Sequence, residues 1–81
     1  MMSISTTDGL AVVHLFPDPD SCFLLDGDRV VDEQEFRKFH ILDLDVTFSG
    51  AFICTADRAQ AVVDAFTRGD DPGELGRWTR L

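Results

Sequence analysis

The sequence predicts an α+β fold: a small, mostly antiparallel sheet of four to five short strands with two helices packed on one face. Three observations lead to this prediction. Short apolar, β-branched runs alternate with turns rich in Pro, Gly and Asp. The segment LDLDVTF (42–48) alternates apolar and polar residues, which is typical of a half-buried strand. Apolar residues then recur at helical spacing through 56–68.

The N-terminal third of the chain predicts an arm and two strands. Residues 1–9 are small and polar, and we expect them to form a loose N-terminal arm. Residues 10–16 (LAVVHLF) predict a buried strand, and 22–25 (CFLL) predict a second one. The intervening PDPDS predicts a turn, because proline cannot donate to a sheet ladder and Asp and Ser side chains stabilise turns.

The next stretch predicts a hairpin turn and then a helix. The Asp-Gly pair at 26–27 favours the positive φ angles of a two-residue hairpin turn, so 29–31 is expected to return as a short third strand. Asp32 and Glu35 have the spacing of a helix-capping box. Within 32–41 the acidic residues precede the basic ones, an order that the helix dipole favours, and two phenylalanines lie three residues apart. We therefore predict a helix at about 32–41.

The second half of the chain predicts two strands and a second helix. The alternating strand at 42–48 is expected to turn back and pair with 51–55 (AFICT). Thr55 is a favourable N-cap for a helix at 56–68, whose apolar residues fall on one face. Gly69 is typical of the residue at which a helix ends.

The acidic residues are concentrated in one part of the chain. Eighty-one residues predict a single domain, 1–81, with a short C-terminal tail at 70–81. The formal net charge is −8, and residues 18–45 alone contain nine acids against three bases, a net charge of −6. This balance disfavours direct binding to nucleic acid or to an anionic membrane, and it favours a partner with a basic surface.

Part of this acidic stretch, LLDGDRVVDEQEF, resembles the calcium-binding loop of EF-hand proteins. Asp26, Asp28 and Glu35 fall on the third, fifth and twelfth positions of that loop. The first position is Leu24, which offers no ligand, and the sixth is Arg29, where the loop requires Gly. The stretch therefore supplies only part of the calcium-ligand set that the resemblance implies. We interpret it as a turn followed by a helix cap, with no metal and no cofactor.

These patterns predict a non-enzymatic interaction protein whose acidic face docks on a basic surface of a protein partner. Its sharpest form is a nucleic-acid-mimicking inhibitor of a nucleic-acid-handling complex, as a mobile-element inhibitor of bacterial defence would be. Trp78 adds a candidate anchor, because Trp is favoured at binding hot spots. The candidate partner-binding residues are seven acids and this tryptophan: Asp26, Asp28, Asp32, Glu33, Glu35, Asp43, Asp45 and Trp78.

Two other functions fit the same composition. The chain also has the size and charge of a toxin-neutralising or immunity protein, which would bind a single basic toxin. A housekeeping domain of a salt-adapted organism would be acidic as well, and its folded circular-dichroism signal would be lost in low salt. A homodimer is left open, because short edge strands can pair between protomers.

Catalytic and metal-binding patterns are incomplete. His14 and His40 have no adjacent nucleophile in a local setting that catalysis uses, so we predict no enzymatic activity. His40 with two nearby acids in HILDLD is short of the ligands that zinc requires. Cys22 and Cys54 lie in apolar runs and are expected to be buried and reduced, unless neighbouring strands bring them together. No positive residue precedes the first apolar run, so the cytoplasm is the expected compartment.

Overall fold

The computed structural model describes residues 1–41 and 43–81 and confirms the α+β class. Two helices are present in this part of the chain, α1 (Ala56–Thr67) and the short α2 (Pro72–Leu75), and neither is long and apolar enough to cross a membrane. A 3₁₀ turn covers Gly50–Phe52. The strands of the same residues are β1 (Met2–Thr7), β2 (Leu10–Asp18), β3 (Ser21–Leu25), β4 (Phe36–Ile41), β5 (Leu44–Ser49), β6 (Cys54–Thr55) and β7 (Trp78–Arg80).

The N-terminal residues form a hairpin, so the prediction of a loose arm at 1–9 is wrong. Asp8 and Gly9 have φ angles of 49° and 78°, the two positive values that a type I′ turn requires. β1 pairs antiparallel with β2 from this turn to the other end of the strand. The turn residues therefore fix the register of the first two strands.

β2 is the central strand of the larger sheet, whose order is β1-β2-β3-β7. β6 pairs with the first residues of β2 and lies on the same side of β2 as β3, which pairs with the later residues of that strand. β4 and β5 form a separate two-stranded sheet, which we call the ribbon. Cys22 and Cys54 lie on β3 and β6 and are both free thiols, Cys22 half-buried and Cys54 buried.

The larger sheet separates two apolar clusters, which gives the fold three layers. On one face Ala11 and Val13 of β2 pack with Ala59 and Val62 of α1. On the other face Val12 belongs to a cluster that includes Phe39, Ile41 and Phe48 of the ribbon. Alternation along β2 sends successive side chains to opposite faces, so one strand supplies both clusters. The ribbon thus covers the face of the sheet opposite α1.

The predicted helix at 32–41 is wrong, because 36–41 form strand β4. Phe39 is fully buried against the larger sheet, whereas Phe36 points to the opposite face of the ribbon and is 62% exposed. Pairing with β5 therefore replaces the helical spacing of the two phenylalanines with the two-residue period of a strand. Asp32 does not cap a helix; its backbone carbonyl accepts from the Glu35 N–H (2.9 Å) in a turn.

The predicted hairpin at Asp26-Gly27 and the third strand at 29–31 are also not formed. These residues belong to an irregular segment of ten residues, 26–35, between β3 and β4, which we call the acidic loop. Its main apolar anchor is Val31, which is buried in the ribbon-side cluster. The chain therefore leaves the larger sheet here instead of returning along it.

The second half agrees more closely with the sequence. The strand predicted at 42–48 is confirmed as β5 from Leu44 onward; Asp43 lies in a turn, and residue 42 lies outside the described residues. The strand predicted at 51–55 is reduced to the two residues of β6 after a 3₁₀ turn, and the predicted pairing of the two strands is wrong, because β5 pairs with β4 and β6 with β2. Helix α1 is confirmed, with the Thr55 side chain accepting from the Arg58 N–H at 3.2 Å. Gly69 follows α1 with a φ of 98°, as expected of a helix end.

Candidate functional site

The acidic loop is held in place by hydrogen bonds to three other parts of the chain. The Gly27 N–H donates to the Ala51 carbonyl (2.6 Å), and the Ser49 hydroxyl donates to the Glu33 carbonyl (2.6 Å). The Asp26 N–H donates to the Arg77 carbonyl (2.8 Å) next to β7. At the start of α1 the Thr55 N–H reaches Asp28 Oδ2 at 3.5 Å. A loop without regular structure is therefore anchored along its length.

The backbone of the acidic loop approaches the rest of the chain very closely at Gly50. A Cβ atom on Gly50 would lie 2.0 Å from the Asp32 carbonyl oxygen and 2.7 Å from that of Val31. The Gly50 N–H also donates to the Glu35 carbonyl at 2.8 Å. Only glycine fits this approach, so the position of the loop depends on the absence of a side chain at residue 50.

Two of the loop carboxylates accept hydrogen bonds from backbone N–H groups two residues further along the chain. Asp28 Oδ1 accepts from the Val30 N–H (3.3 Å), and Asp32 Oδ1 accepts from the Gln34 N–H (2.9 Å). These side chain-to-backbone bonds orient the carboxylates without neutralising them. Among the described residues, Glu35 is the loop carboxylate with an ion pair, to Arg37 at 2.8 Å. The side chains of 28, 32, 33 and 35 are all exposed, and Asp26 is half-buried.

Two apolar side chains are exposed within this acidic surface. Val30 is 46% exposed in the middle of the loop, and Phe36 is 62% exposed immediately after it. Sequence reasoning missed both, because it placed Val30 in a strand and Phe36 on the buried stripe of a helix. The signal in the sequence is that polar residues flank the short apolar pair Val30-Val31 on both sides.

An open cleft of about 1140 Å³ lies beside the loop and carries both signs of charge. Asp26, Asp32 and Glu33 line it together with Arg29, Arg58 and Arg77. The Arg58 guanidinium donates to the Asp26 carbonyl (2.9 Å), which fixes this cation at the cleft wall. The surface predicted as an acidic face is therefore mixed in charge at the cleft.

The other predicted acids, Asp43 and Asp45, lie at the opposite end of the ribbon. Five residue steps separate Phe36 from Ile41, so the ribbon tip is about 17 Å from the loop. There His40 lies between the two carboxylates, with Nδ1 at 3.1 Å from Asp45 and Nε2 at 3.9 Å from Asp43. The structure divides the predicted acidic row into a loop group and a tip group.

Trp78 contacts the core at the edge of the larger sheet. Its side chain is half-buried beside the α1-side cluster, and its indole N–H donates to the Pro72 carbonyl at 2.8 Å. Part of the ring remains accessible, and a partner contact at this residue stays a prediction. The residues on either side hold the acidic loop: Arg77 through its carbonyl and Thr79 through a 2.8 Å hydrogen bond to Asp26 Oδ1.

A second, apolar groove of about 570 Å³ lies between the ribbon and the larger sheet. His14 lines it and contacts the rings of Phe16 and Phe48, at centroid distances of 6.0 and 5.6 Å. Burial lowers the pKa of His14, because the charged imidazolium loses hydration there. At the other face of the sheet, burial likewise raises the pKa of the Cys54 thiol.

The anchored loop thus brings together oriented carboxylates, two exposed apolar side chains and a cleft of mixed charge. Comparison of the chain with protein families, with curated proteins and with solved structures finds no significant match in any of the three.

Proposed function

We propose that this protein is a non-enzymatic interaction module whose acidic loop docks on a basic surface of a protein partner. The observation that carries the proposal is the anchored loop itself. Four exposed carboxylates project from a backbone that is hydrogen bonded to other parts of the chain. An irregular segment held this firmly is already ordered before binding, so complex formation costs less conformational entropy.

The composition of the surface supports a protein as the partner. Val30 and Phe36 offer apolar contact area beside the acids, and aromatic residues are enriched in protein–protein interfaces. The carboxylates would attract a basic surface over a distance and align it during encounter. The arginines of the cleft would repel a surface that is basic everywhere, which favours a partner with its own mixed charges there.

A nucleic-acid-handling protein is the sharper form of the same proposal. A groove that binds nucleic acid is rich in Lys and Arg and would meet the loop carboxylates first. The tip acids lie about 17 Å further along the ribbon and would extend the negatively charged surface in that direction. This form predicts that duplex DNA or RNA competes with the protein for the partner.

The experiment compares two variants of equal net charge. In the loop variant, amides replace four loop acids; in the control variant, amides replace four acids elsewhere, so both carry a net charge of about −4 by residue count. Asn and Gln keep a carbonyl oxygen that can accept the local backbone bonds. The loop changes are Asp28→Asn, Asp32→Asn, Glu33→Gln and Glu35→Gln, and the control changes are Asp20→Asn, Asp64→Asn, Asp70→Asn and Glu74→Gln.

Each immobilised protein captures partners from an extract of the source cell, and bound proteins are eluted with rising salt. We expect the unchanged chain and the control variant to retain the same basic protein, with elution by roughly 0.5 M salt as charges are screened. The loop variant should release it at a lower concentration or fail to retain it. Equal retention by the two variants would contradict the proposal, and competition by added duplex DNA tests its sharper form.

A further inference from the structure

The outer edge of the ribbon is an unpaired strand edge. Among the described residues, β5 pairs with β4 alone, and its contact with the larger sheet is made by inner-face side chains, such as Phe48 against His14. The other edges are less open, because β4 and α1 lie against β1 and because β7 is only three residues long. A two-stranded ribbon with an open edge gains stability when another strand pairs with it.

The register of the ribbon shows which backbone groups face outward. The Gly50 N–H donates to the Glu35 carbonyl, so the 35–50 pair belongs to the hydrogen-bonded class. These pairs alternate along an antiparallel ladder, so 48, 46 and 44 bond to β4 and the intervening residues do not. The N–H and C=O groups of Asp45 and Thr47 therefore point away from the ribbon.

This edge is self-complementary. If two β5 strands pair antiparallel with Val46 opposite Val46, each Leu44 lies opposite the Phe48 of the other copy. All three side chains share the inner face of the ribbon, and the pairing covers Leu44, which is 66% exposed in the single chain. On the outer face each Asp45 lies opposite a Thr47, whose hydroxyl can donate to the carboxylate. We infer that β5 pairs with β5 of a second copy in this register.

The pairing makes four backbone hydrogen bonds, two for each Asp45–Thr47 pair. It also brings the tip acids of one copy toward the acidic loop of the other, since the two strands run in opposite directions. Four bonds and three apolar pairs are a small interface, and we expect a dissociation constant on the order of 100 µM. Because each copy carries a net charge of −8, salt should strengthen the dimer.

Sedimentation equilibrium between about 10 µM and 1 mM brackets this constant. We expect a monomer–dimer equilibrium that shifts toward dimer between low and high salt. Salt is thus expected to strengthen the dimer and to weaken binding of the proposed basic partner, so the two proposals are tested independently. A chain that remains monomeric at the highest concentration and salt overturns the inference and leaves the acidic-loop proposal standing.

Two pairs of variants locate the interface. Thr47→Pro removes an outward N–H without removing a bond to β4, and Thr47→Ala keeps that N–H. We expect the first to raise the dissociation constant at least about tenfold and the second to change it less than about threefold. Leu44→Ser should weaken the dimer by about tenfold, whereas Leu81→Ser, at a residue of equal exposure (67%), should not. Equal effects within either pair overturn the assignment to β5.

Disulfide trapping tests the register directly. In a chain that carries Cys22→Ser and Cys54→Ala, Val46→Cys places two thiols opposite each other across the symmetry axis. In Thr47→Cys, each thiol lies opposite Asp45 of the other copy instead. Oxidation should cross-link the first variant rapidly and the second slowly. Faster cross-linking of the second, or equal rates in both, refutes the pairing about Val46.

Discussion

Replacing Gly50 by alanine should release the acidic loop from the ribbon. A Cβ atom at this position would meet the Asp32 carbonyl oxygen at 2.0 Å, against the 3.0 Å that a real Cβ contact requires. The loop must therefore move by about 1 Å, since the obstructing atoms are backbone atoms and cannot rotate away. The movement weakens the bonds that hold Glu33 and Glu35 to residues 49 and 50.

The cost of this movement follows from the contacts that are lost. Two hydrogen bonds contribute roughly 1 kcal/mol each to the free energy of unfolding. Val31, which is buried at the base of the loop, loses about half of its burial, or roughly another 1 kcal/mol. We expect Gly50→Ala to reduce the free energy of unfolding by about 2–4 kcal/mol, from an expected total of about 4–12 kcal/mol for 81 residues.

Urea unfolding followed by far-ultraviolet circular dichroism measures this loss. Gly73→Ala is the matched control, because its nearest neighbour, Asp71 Oδ1, would lie at an ordinary 3.4 Å. It should change the free energy of unfolding by less than about 1 kcal/mol, in either direction. If the two variants unfold at the same urea concentration, the close approach at Gly50 does not hold the loop and the reasoning is refuted.

Three further predictions concern the core, the groove and the thiols. In the same urea assay, Phe39→Ala should reduce the free energy of unfolding by about 3–5 kcal/mol, and Phe36→Ala, at an exposed residue, should reduce it by under about 1 kcal/mol. Equal losses would contradict the assignment of the two side chains to opposite faces of the ribbon. Because burial lowers the folded-state pKa of His14, the free energy of unfolding should fall as the pH drops below about 6.5 and level off below that pKa. His14→Gln should remove this part of the pH dependence, and an unchanged profile would count against it. Cys22 should react with a thiol reagent in the folded protein before Cys54, whose pKa burial raises, and the reverse order would be inconsistent with their exposure.

The chain contains the Asp-Gly signal twice, and only one copy makes a hairpin. At 8–9 the dipeptide is flanked by two runs long enough to pair, and both residues have positive φ angles. At 26–27 the following run, RVV, can bury a single side chain, Val31, so no return strand forms. A turn signal therefore predicts a hairpin only where both flanking segments have a face to bury.

The helix predicted at 32–41 failed for a related reason. The three-residue spacing of Phe36 and Phe39 fits a helix, but phenylalanine is also common in strands. The local sequence therefore does not decide between helix and strand. The strand forms because β5 supplies apolar partners across the ribbon, which is a tertiary contact. By contrast, α1 carries its own cap, its own stop and a single apolar face, and it was predicted within one residue of its observed end.

The acidic surface could be predicted in composition but not in arrangement. Charge alone indicated that the loop acids would face solvent, and the structure agrees for 28, 32, 33 and 35. The separation of Asp43 and Asp45 from the loop depends on the length of a ribbon that the sequence did not predict. Arg29 belongs to the loop itself, whereas Arg58 and Arg77 come from distant parts of the chain, so only the folded structure brings these two beside the acids.

The position of Trp78 gives the protein an intrinsic optical probe. The chain has a single tryptophan, and its two neighbours in sequence are the residues that hold Asp26 at the start of the acidic loop. Its indole is half-buried and hydrogen bonded, so its emission depends on how closely this corner of the molecule is packed. Occupation of the loop by a partner should therefore change the tryptophan fluorescence, and an unlabelled titration with a candidate partner can test the proposed surface.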